Sequence, residues 1–181
     1  MSYLFTSERL GFRTWTKNDQ EALYGINSNT KVMRFFPGLL TPEESDAFLT
    51  RMQRLYDSHG YCYFATELRS SACFIGFIGL SLQDFDAPFT PFTDIGWRLA
   101  PEYWGQGLAT EGAKRCLQHG FENHHLNKIH ATAPVVNQPS IRVMEKIGMR
   151  KDLEFRHPKL TGYPLLETCA LYSISKDDLK H

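Results

Sequence analysis

An α+β fold around one sheet of mixed strand direction is predicted by three features of the chain. Runs with the alternation or β-branched content of strands and stretches with helical spacing follow one another in the order β, α, α, β, β, β, α, β, α, β, β. The three consecutive central runs are joined by polar, turn-rich links, whereas the run after the third helix is reached through that helix and so returns parallel to the strand before it. No internal repeat, linker or low-complexity tract breaks this order, so residues 1–181 read as a single domain.

The first strand is "ERLGFRTW", where Leu10 and Phe12 alternate with Arg9 and Arg13. Thr16 followed by Asp19 reads as a helix start for "KNDQEALYGINS". A second helix opens at Thr41, with Pro42 in its first position and Glu44 closing a capping box, and stops at Gly60. Phe48, Met52, Leu55 and Tyr56 give it one apolar face. "YCYFATEL" and "CFIGFIGLSL" form a hairpin across "RSSA", and "TDIGWRLA" adds a third strand after the turn-rich "QDFDAPFTPF". Ala109, Ala113, Cys116, Leu117 and Gly120 line one face of the third helix, and "KIHATAPVV" is the strand that follows. "NQPSIRVMEKIGM" is a short helix with Pro139 in its first turn and Gly148 as its stop, and strands near "RKDLEFRH" and "LLETCALYSI" end the chain.

With 42% hydrophobic residues the chain can bury a sizeable core. Lys plus Arg balances Asp plus Glu at 20 each, so bulk charge favours neither a nucleic-acid nor a membrane partner, although a local basic patch stays possible. The apolar runs fall short of the roughly 20 residues of a membrane helix. The start "MSYLFTSERL" lacks the pattern of a signal peptide, and a cytoplasmic protein is the expectation. Cys62, Cys73, Cys116 and Cys169 include no CxxC pair, and His124, His125 and His130 have no acid or Cys at ligand spacing, so neither a disulfide framework nor a metal site is expected.

The stretch "WGQGLATEG" places three glycines at the mouth of the third helix. A Walker loop is excluded because no Gly-Lys-Ser/Thr follows, and the dinucleotide pattern GxGxxG fails because position 110 is Thr. Two readings remain: a tight strand-to-helix turn, or a cradle in which bare backbone and a helix N-terminus face a diphosphate.

The runs "FIGFIGLSL", "DIGWRLAPEYWGQGLATEGAKRCLQHGF" and "KIHATAPVVNQPSIRVMEKIGM", in that order, closely resemble the GNAT superfamily of N-acetyltransferases, in the branch of RimJ and RimL type that acetylates ribosomal-protein alanine termini. The opening "TSERLGFRTWTKNDQEAL" and the ending "ETCALYSISKDDL" fit the same branch, so the resemblance spans roughly residues 5–178. It implies a GNAT fold: a mixed sheet of about six to seven strands with a splayed parallel pair, flanked by about four helices.

The resemblance also implies acetyl-CoA as co-substrate, lying between the splayed strands Asp94 to Ala100 and Lys128 to Val135, with Trp97, Arg98 and Leu99 as backbone partners of pantetheine. The diphosphate would rest on Gly105, Gln106, Gly107, Leu108, Ala109 and Thr110. Trp104 stands where many members of the superfamily have Gln or Arg, while Gly107 and Ala109 keep the pattern. Asn137 is either a pantetheine partner or simply the cap of the helix after it. Met144 occupies the position where many relatives carry a thiolate-protonating tyrosine, and Ser140 is the substitute, unless it is only a local backbone partner.

The acceptor amine must be neutral to attack. An α-amine of pKa ~7.8 costs about 1 kcal/mol to deprotonate at pH 7, and a lysine of pKa ~10.4 about 4.6 kcal/mol. Asp94, then Glu167, then Glu67 are the candidate bases, each with the alternative of being a solvated strand acid. A strand N–H near Leu99 would meet the oxyanion. Acceptor choice is expected in the first two helices and in the loop from Gln83 to Phe92. Protein or peptide N-termini rank above polyamines and antibiotics. A non-catalytic acyl-CoA-binding module and an enzyme for longer acyl groups stay open, as does the choice between monomer and homodimer.

Overall fold

Strand β5 (Phe92–Leu99) is the axis about which this computed structural model, described over residues 2–180, is organised. On one side of it, β4 (Cys73–Gln83), β3 (Tyr63–Leu68), β2 (Leu10–Arg13) and β1 (Phe5–Thr6) follow in antiparallel succession. On the other side lie β6 (Lys128–Pro134), β8 (Thr168–Ser175) and β7 (Arg150–Arg156). Among these pairs only β5 and β6 run parallel.

The sheet therefore has eight strands rather than the six to seven expected, because the two-residue β1 is too short to carry any periodicity. The described residues form five α-helices rather than about four: α1 (Gln20–Asn27), α2 (Thr30–Met33), α3 (Pro42–His59), α4 (Leu108–Asn123) and α5 (Gln138–Lys146). The additional one, α2, is a single turn, and it is capped by Asn29, whose side chain accepts from the Lys31 and Val32 N–H groups. None of the helices among the described residues is long and apolar enough to cross a membrane.

Local chemistry sets several boundaries. At α3 the Thr41 hydroxyl accepts from Glu44 N–H at 3.2 Å while the Glu44 carboxylate accepts from Thr41 N–H at 2.8 Å. The helix ends at Gly60 with φ 76°. Before α1, a 3-10 turn over Lys17–Asp19 takes the place of the first helical turn. Asp19 there accepts from the backbone N–H of Thr16 at 2.8 Å.

Side-chain alternation on the sheet divides the core. Leu10, Phe12, Ile78, Leu80 and Ile129 face α4, which approaches closely because Gly112 and Gly120 carry no side chain: a Cβ on Gly112 would stand 2.3 Å from Ile78 Cδ1. The opposite face is covered by the α1–α3 side, where Trp15, Phe48, Tyr63 and Phe77 form one aromatic cluster. That face also buries Arg13 between Asp19, at 2.7 Å, and Glu67, at 2.6 Å.

Candidate active site

The sheet forks at its parallel pair. Asp94 and His130 are the one register pair joining β5 to β6, and beyond them the strands part toward Leu99 and Pro134. Ala100 N–H donates to Ile75 C=O at 3.0 Å. By ladder alternation the peptide groups of Arg98 also face β4, and those of Trp97 and Leu99 face the opening. The Trp104 indole N–H confirms the direction by donating to Leu99 C=O at 2.8 Å. Trp97 and Leu99 thus keep the orientation expected of them, whereas Arg98 offers the opening its side chain and not its backbone.

A groove of about 300 Å³ continues from the fork and is lined by Trp97, Arg98, Leu99, Gly105, Gly107, Leu108, Ala109, Thr110, Asn137 and Ser140, among others. Gly105 and Gly107 have φ 73° and 78°, the left-handed region, and a Cβ at Gly105 would meet nothing within 4 Å. The glycines answer a backbone requirement and leave the groove wall bare. No side chain caps the N-terminus of α4, so the first-turn N–H groups and the positive end of the helix dipole are available to an anion. These features fit the diphosphate of a CoA-type ligand. Gln106 is not on the groove wall: its carbonyl accepts from Arg9 Nη1 at 3.0 Å and its amide donates to Glu102 C=O at 2.8 Å.

Glu111, in the first turn of α4, would repel such an anion if left alone. Its carboxylate instead accepts from the Ser7 hydroxyl at 2.6 Å, Arg9 N–H at 2.8 Å and Arg9 Nε at 2.6 Å. Burial alone would raise its pKa, but these bonds hold it below the ordinary value. The same contacts pin the β1–β2 turn to the glycine loop. Neither Arg9 nor Glu111 stood out in the sequence, because their pairing spans about a hundred residues.

At the other wall, Asn137 Oδ1 accepts from Ser140 N–H at 3.3 Å and so caps α5. Its amide nitrogen is left for another partner. Ser140 lines the groove and is half-buried, which brings a hydroxyl to the side opposite the glycine loop.

The three candidate acids separate clearly. Asp94 is 7% exposed and accepts from the Tyr63 hydroxyl at 2.7 and 2.9 Å and from Gln83 Nε2 at 3.1 Å. Burial pushes its carboxyl up to about 7, against the pull of those two donors. It lies at the fork rather than on the groove wall. His130 flanks it across the parallel pair, half-buried, with Nδ1 buried and unpartnered among the described residues. Glu67 is bound by Arg13 Nε at 2.7 Å and the Tyr3 hydroxyl at 3.0 Å, which makes it part of the buried ion cluster. Glu167 precedes β8 instead of lying on it, and Arg156 pairs with it at 3.0 Å.

The loop from Gln83 to Phe92 is also placed differently from expectation. Phe85 and Phe92 are buried in a separate cluster with Leu171, and Phe85 stacks on Phe155 of β7. Their aromatic surface anchors the loop to the far sheet edge, and at the fork Gln83 reaches Asp94 while the Phe92 ring packs 4.8 Å from that of His130.

Among the described residues four cations, Lys31, Arg34, Arg98 and Lys146, line the groove, and no carboxylate does. Arg98 donates from Nη1 to Asn27 Oδ1 at 2.6 Å, and Asn27 in turn donates to Ser45 of α3 at 3.0 Å. The guanidinium lies 4.2 Å from the Phe36 ring centroid and 5.3 Å from that of Phe77. Burial draws its pKa down to about 10.

A sheet forked at one parallel pair, with a glycine cradle and a bare helix N-terminus at its mouth, fits the class of acyltransferases that take their donor from a diphosphate-bearing carrier. Comparison with known proteins agrees: residues 9–150 match the Acetyltransferase (GNAT) domain, and the chain belongs to that family. It is an N-acetyltransferase. The Bacillus subtilis N-acetyltransferase YnaD is 35% identical over 153 residues, which is 83% of this chain and 85% of YnaD. The crystal structure of a GNAT-family acetyltransferase from Bacillus anthracis superposes with a TM-score of 0.79 at 30% identity, covering 95% of this chain and 98% of that one.

Two further structures share the fold at lower identity. Spermidine N-acetyltransferase from Vibrio cholerae, in complex with CoA and spermine, has a TM-score of 0.71 at 19% identity, covering 96% and 99% of the two chains. RimL, a ribosomal L7/L12 α-N-protein acetyltransferase in complex with CoA, has a TM-score of 0.77 at 16% identity, covering 98% and 99%.

Proposed function

We propose that this enzyme moves an acetyl group from acetyl-CoA to the primary amine at a protein or peptide N-terminus, as RimL does, by direct attack in a ternary complex. The observation that carries the reading is the fork itself: a groove with a glycine cradle continues from it, and at the fork stands a buried carboxylate whose pKa is pushed up to about 7.

Each part of the site has a role in this reading. Gly105, Gly107 and the first turn of α4 hold the diphosphate, and the peptide groups of Trp97 and Leu99 align the pantetheine arm. Acetyl-CoA, when bound, supplies an activated carbonyl with a thiolate leaving group. Leu99 N–H, on the gap side of β5, is positioned to hold negative charge at the carbonyl oxygen. Asp94 takes the proton of the incoming amine, directly or through one water, and a base of pKa near 7 is well matched to an α-amine at ~7.8. Ser140 donates toward the departing sulfur, which with a reference pKa of ~8.5 needs little help.

One charge supports an N-terminus over a polyamine. Lys31, Arg34 and Lys146 line the groove assigned to the donor, but Arg98 projects from β5 on the face of Asp94 and would repel an acceptor carrying several positive charges. The test is release of CoA thiol from acetyl-CoA with N-terminal alanine and serine peptides, lysine peptides, spermidine and aminoglycosides, with CoA affinity measured by calorimetry. Turnover confined to the N-terminal peptides is expected. Tight CoA binding with no turnover on any amine would point to a non-catalytic acyl-CoA-binding module, and turnover confined to spermidine would make it a polyamine enzyme.

A further inference from the structure

Arg98 is costly where it stands. A guanidinium carries five N–H donors. In the described structure Asn27 accepts one of them, while Nε is fully buried without a partner. Its charge is influenced by Tyr63 and by the like charge of Arg51, and no carboxylate pairs with it among the described residues. The contrast with Arg13 on the same sheet face is direct, since that buried guanidinium is matched by both Asp19 and Glu67. Phe36 and Phe77 offer ring faces that orient the Arg98 plane, and Asn27, itself held by Ser45, fixes one corner of it.

Position gives this unmatched charge a use. Arg98 lines the groove yet projects from β5 on the face of Asp94 and Gly96, toward the α1–α3 side. On the proposed function the donor would occupy the plane of the sheet, between the splayed strands, with its diphosphate at the N-terminus of α4. That would leave the Arg98 face for the acceptor, and Arg98 is the second residue beyond the candidate base on that face, four residues along the strand.

We propose that Arg98 forms an anion-recognising acceptor subsite, so that the amine acetylated belongs to a molecule carrying a carboxylate close to that amine. This rests on the reading of the site as an amine acetyltransferase. Guanidinium and carboxylate match in plane and charge, so such an acceptor would satisfy the N–H groups that Asn27 leaves. The carboxylate can be the α-carboxylate of a free amino acid or the side chain of an acidic first residue in a peptide, and the acceptors below distinguish the two.

The experiment measures kcat/KM with acetyl-CoA for free alanine and glutamate, their α-amides, the peptide amides Glu-Ala-Ala and Ala-Ala-Ala, and spermidine. It uses the wild-type enzyme and Arg98→Gln, with CoA affinity by calorimetry as the check that the variant is folded. The expected result is that wild type prefers an acceptor with a carboxylate to its neutral counterpart by about 10- to 100-fold, and that Arg98→Gln reduces this ratio toward one. Preference for the free acids identifies an amino-acid subsite, and preference for Glu-Ala-Ala over Ala-Ala-Ala identifies an acidic terminus. Equal rates for acid and amide in wild type, or spermidine as the best acceptor, overturn the proposal and leave an amine acetyltransferase standing. CoA binding without turnover on any acceptor overturns the underlying reading as well. The wild-type selectivity decides the matter even if Arg98→Gln does not fold.

Discussion

Tyr63 on β3 reaches across β4 to place its hydroxyl 2.7 and 2.9 Å from the two carboxylate oxygens of Asp94 on β5. The reach is possible because Gly79 and Gly96 stand between them without side chains: a Cβ on Gly96 would lie 3.0 Å from the Tyr63 ring. Burial and the neighbouring Asp94 charge raise the Tyr63 pKa well above its ordinary value, so the phenol stays a donor. Asp94 thus has a fixed orientation and a proton affinity suited to neutral pH.

The pH profile follows from that affinity. Asp94 is a base only when ionised, so kcat is expected to fall as pH drops below about 7. Asp94→Asn should slow transfer by about 100-fold or more, leave CoA affinity within about twofold and flatten the acidic limb. A profile unchanged by the substitution would remove Asp94 from the mechanism.

Stability should move in the opposite sense. Because the folded carboxyl titrates near 7 and an unfolded one near ~3.9, the folded state binds the extra proton between these values. Its contribution is complete at low pH and is lost as pH rises through about 7. Asp94→Asn should therefore unfold at a higher temperature than wild type at pH 8, with the gain shrinking toward pH 5. Thermal melts at the two pH values test this, and a gain of equal size at both would contradict the assignment.

Gly107 tests the cradle. Gly107→Asp puts bulk and negative charge where the diphosphate is to lie, and calorimetry should show CoA binding lost. Gly107→Ala forces a side chain to φ 78° at a cost of about 1–2 kcal/mol and should weaken binding by a smaller amount. Undiminished affinity in Gly107→Asp would place the donor elsewhere. Ser140→Ala should retain affinity and lower kcat by less than Asp94→Asn does.

The buried cluster around Arg13 offers a test of the fold alone. Arg13→Met leaves Asp19 and Glu67 buried without their cation and should cost about 3–5 kcal/mol in urea unfolding at pH 7. Burial would raise the Asp19 pKa, but hydrogen bonds from Arg13 reverse this and lower it. Its stabilisation is therefore present at neutral pH and is lost as pH falls through its depressed pKa. A loss below about 1 kcal/mol would show the cluster to be nearly neutral.

Much of this architecture is legible in the chain because it is written locally. The capping box at Thr41 and Glu44 and the stop at Gly60 each occupy a few adjacent residues whose chemistry allows one outcome, whereas the glycines before α4 mark the turn but leave open whether it is also a cradle. What escaped detection depends on distant partners. Asp94 ranks above Glu67 only through the strand it occupies, and their different chemistry comes from Arg13 beside Glu67 and Tyr63 beside Asp94. Phe85 and Phe92 are equally ambiguous until Phe155 and Leu171 claim them. Arg98 reads as a strand residue with a backbone role, since Asn27, its side-chain acceptor, lies 71 positions earlier.

The alternation along β5 has a consequence for how such an enzyme changes over time. Asp94, Gly96 and Arg98 project toward α1–α3, while Ile95, Trp97 and Leu99 project toward α4. On the proposed function this strand would act as a partition between donor and acceptor. Substitutions within α3, none of whose residues lines the groove, would then remodel what is acetylated, while Lys31, Arg34, Phe35 and Phe36 keep the earlier segment tied to the groove. Recognition on α3 would be free to evolve at its own rate, built onto a common delivery machine.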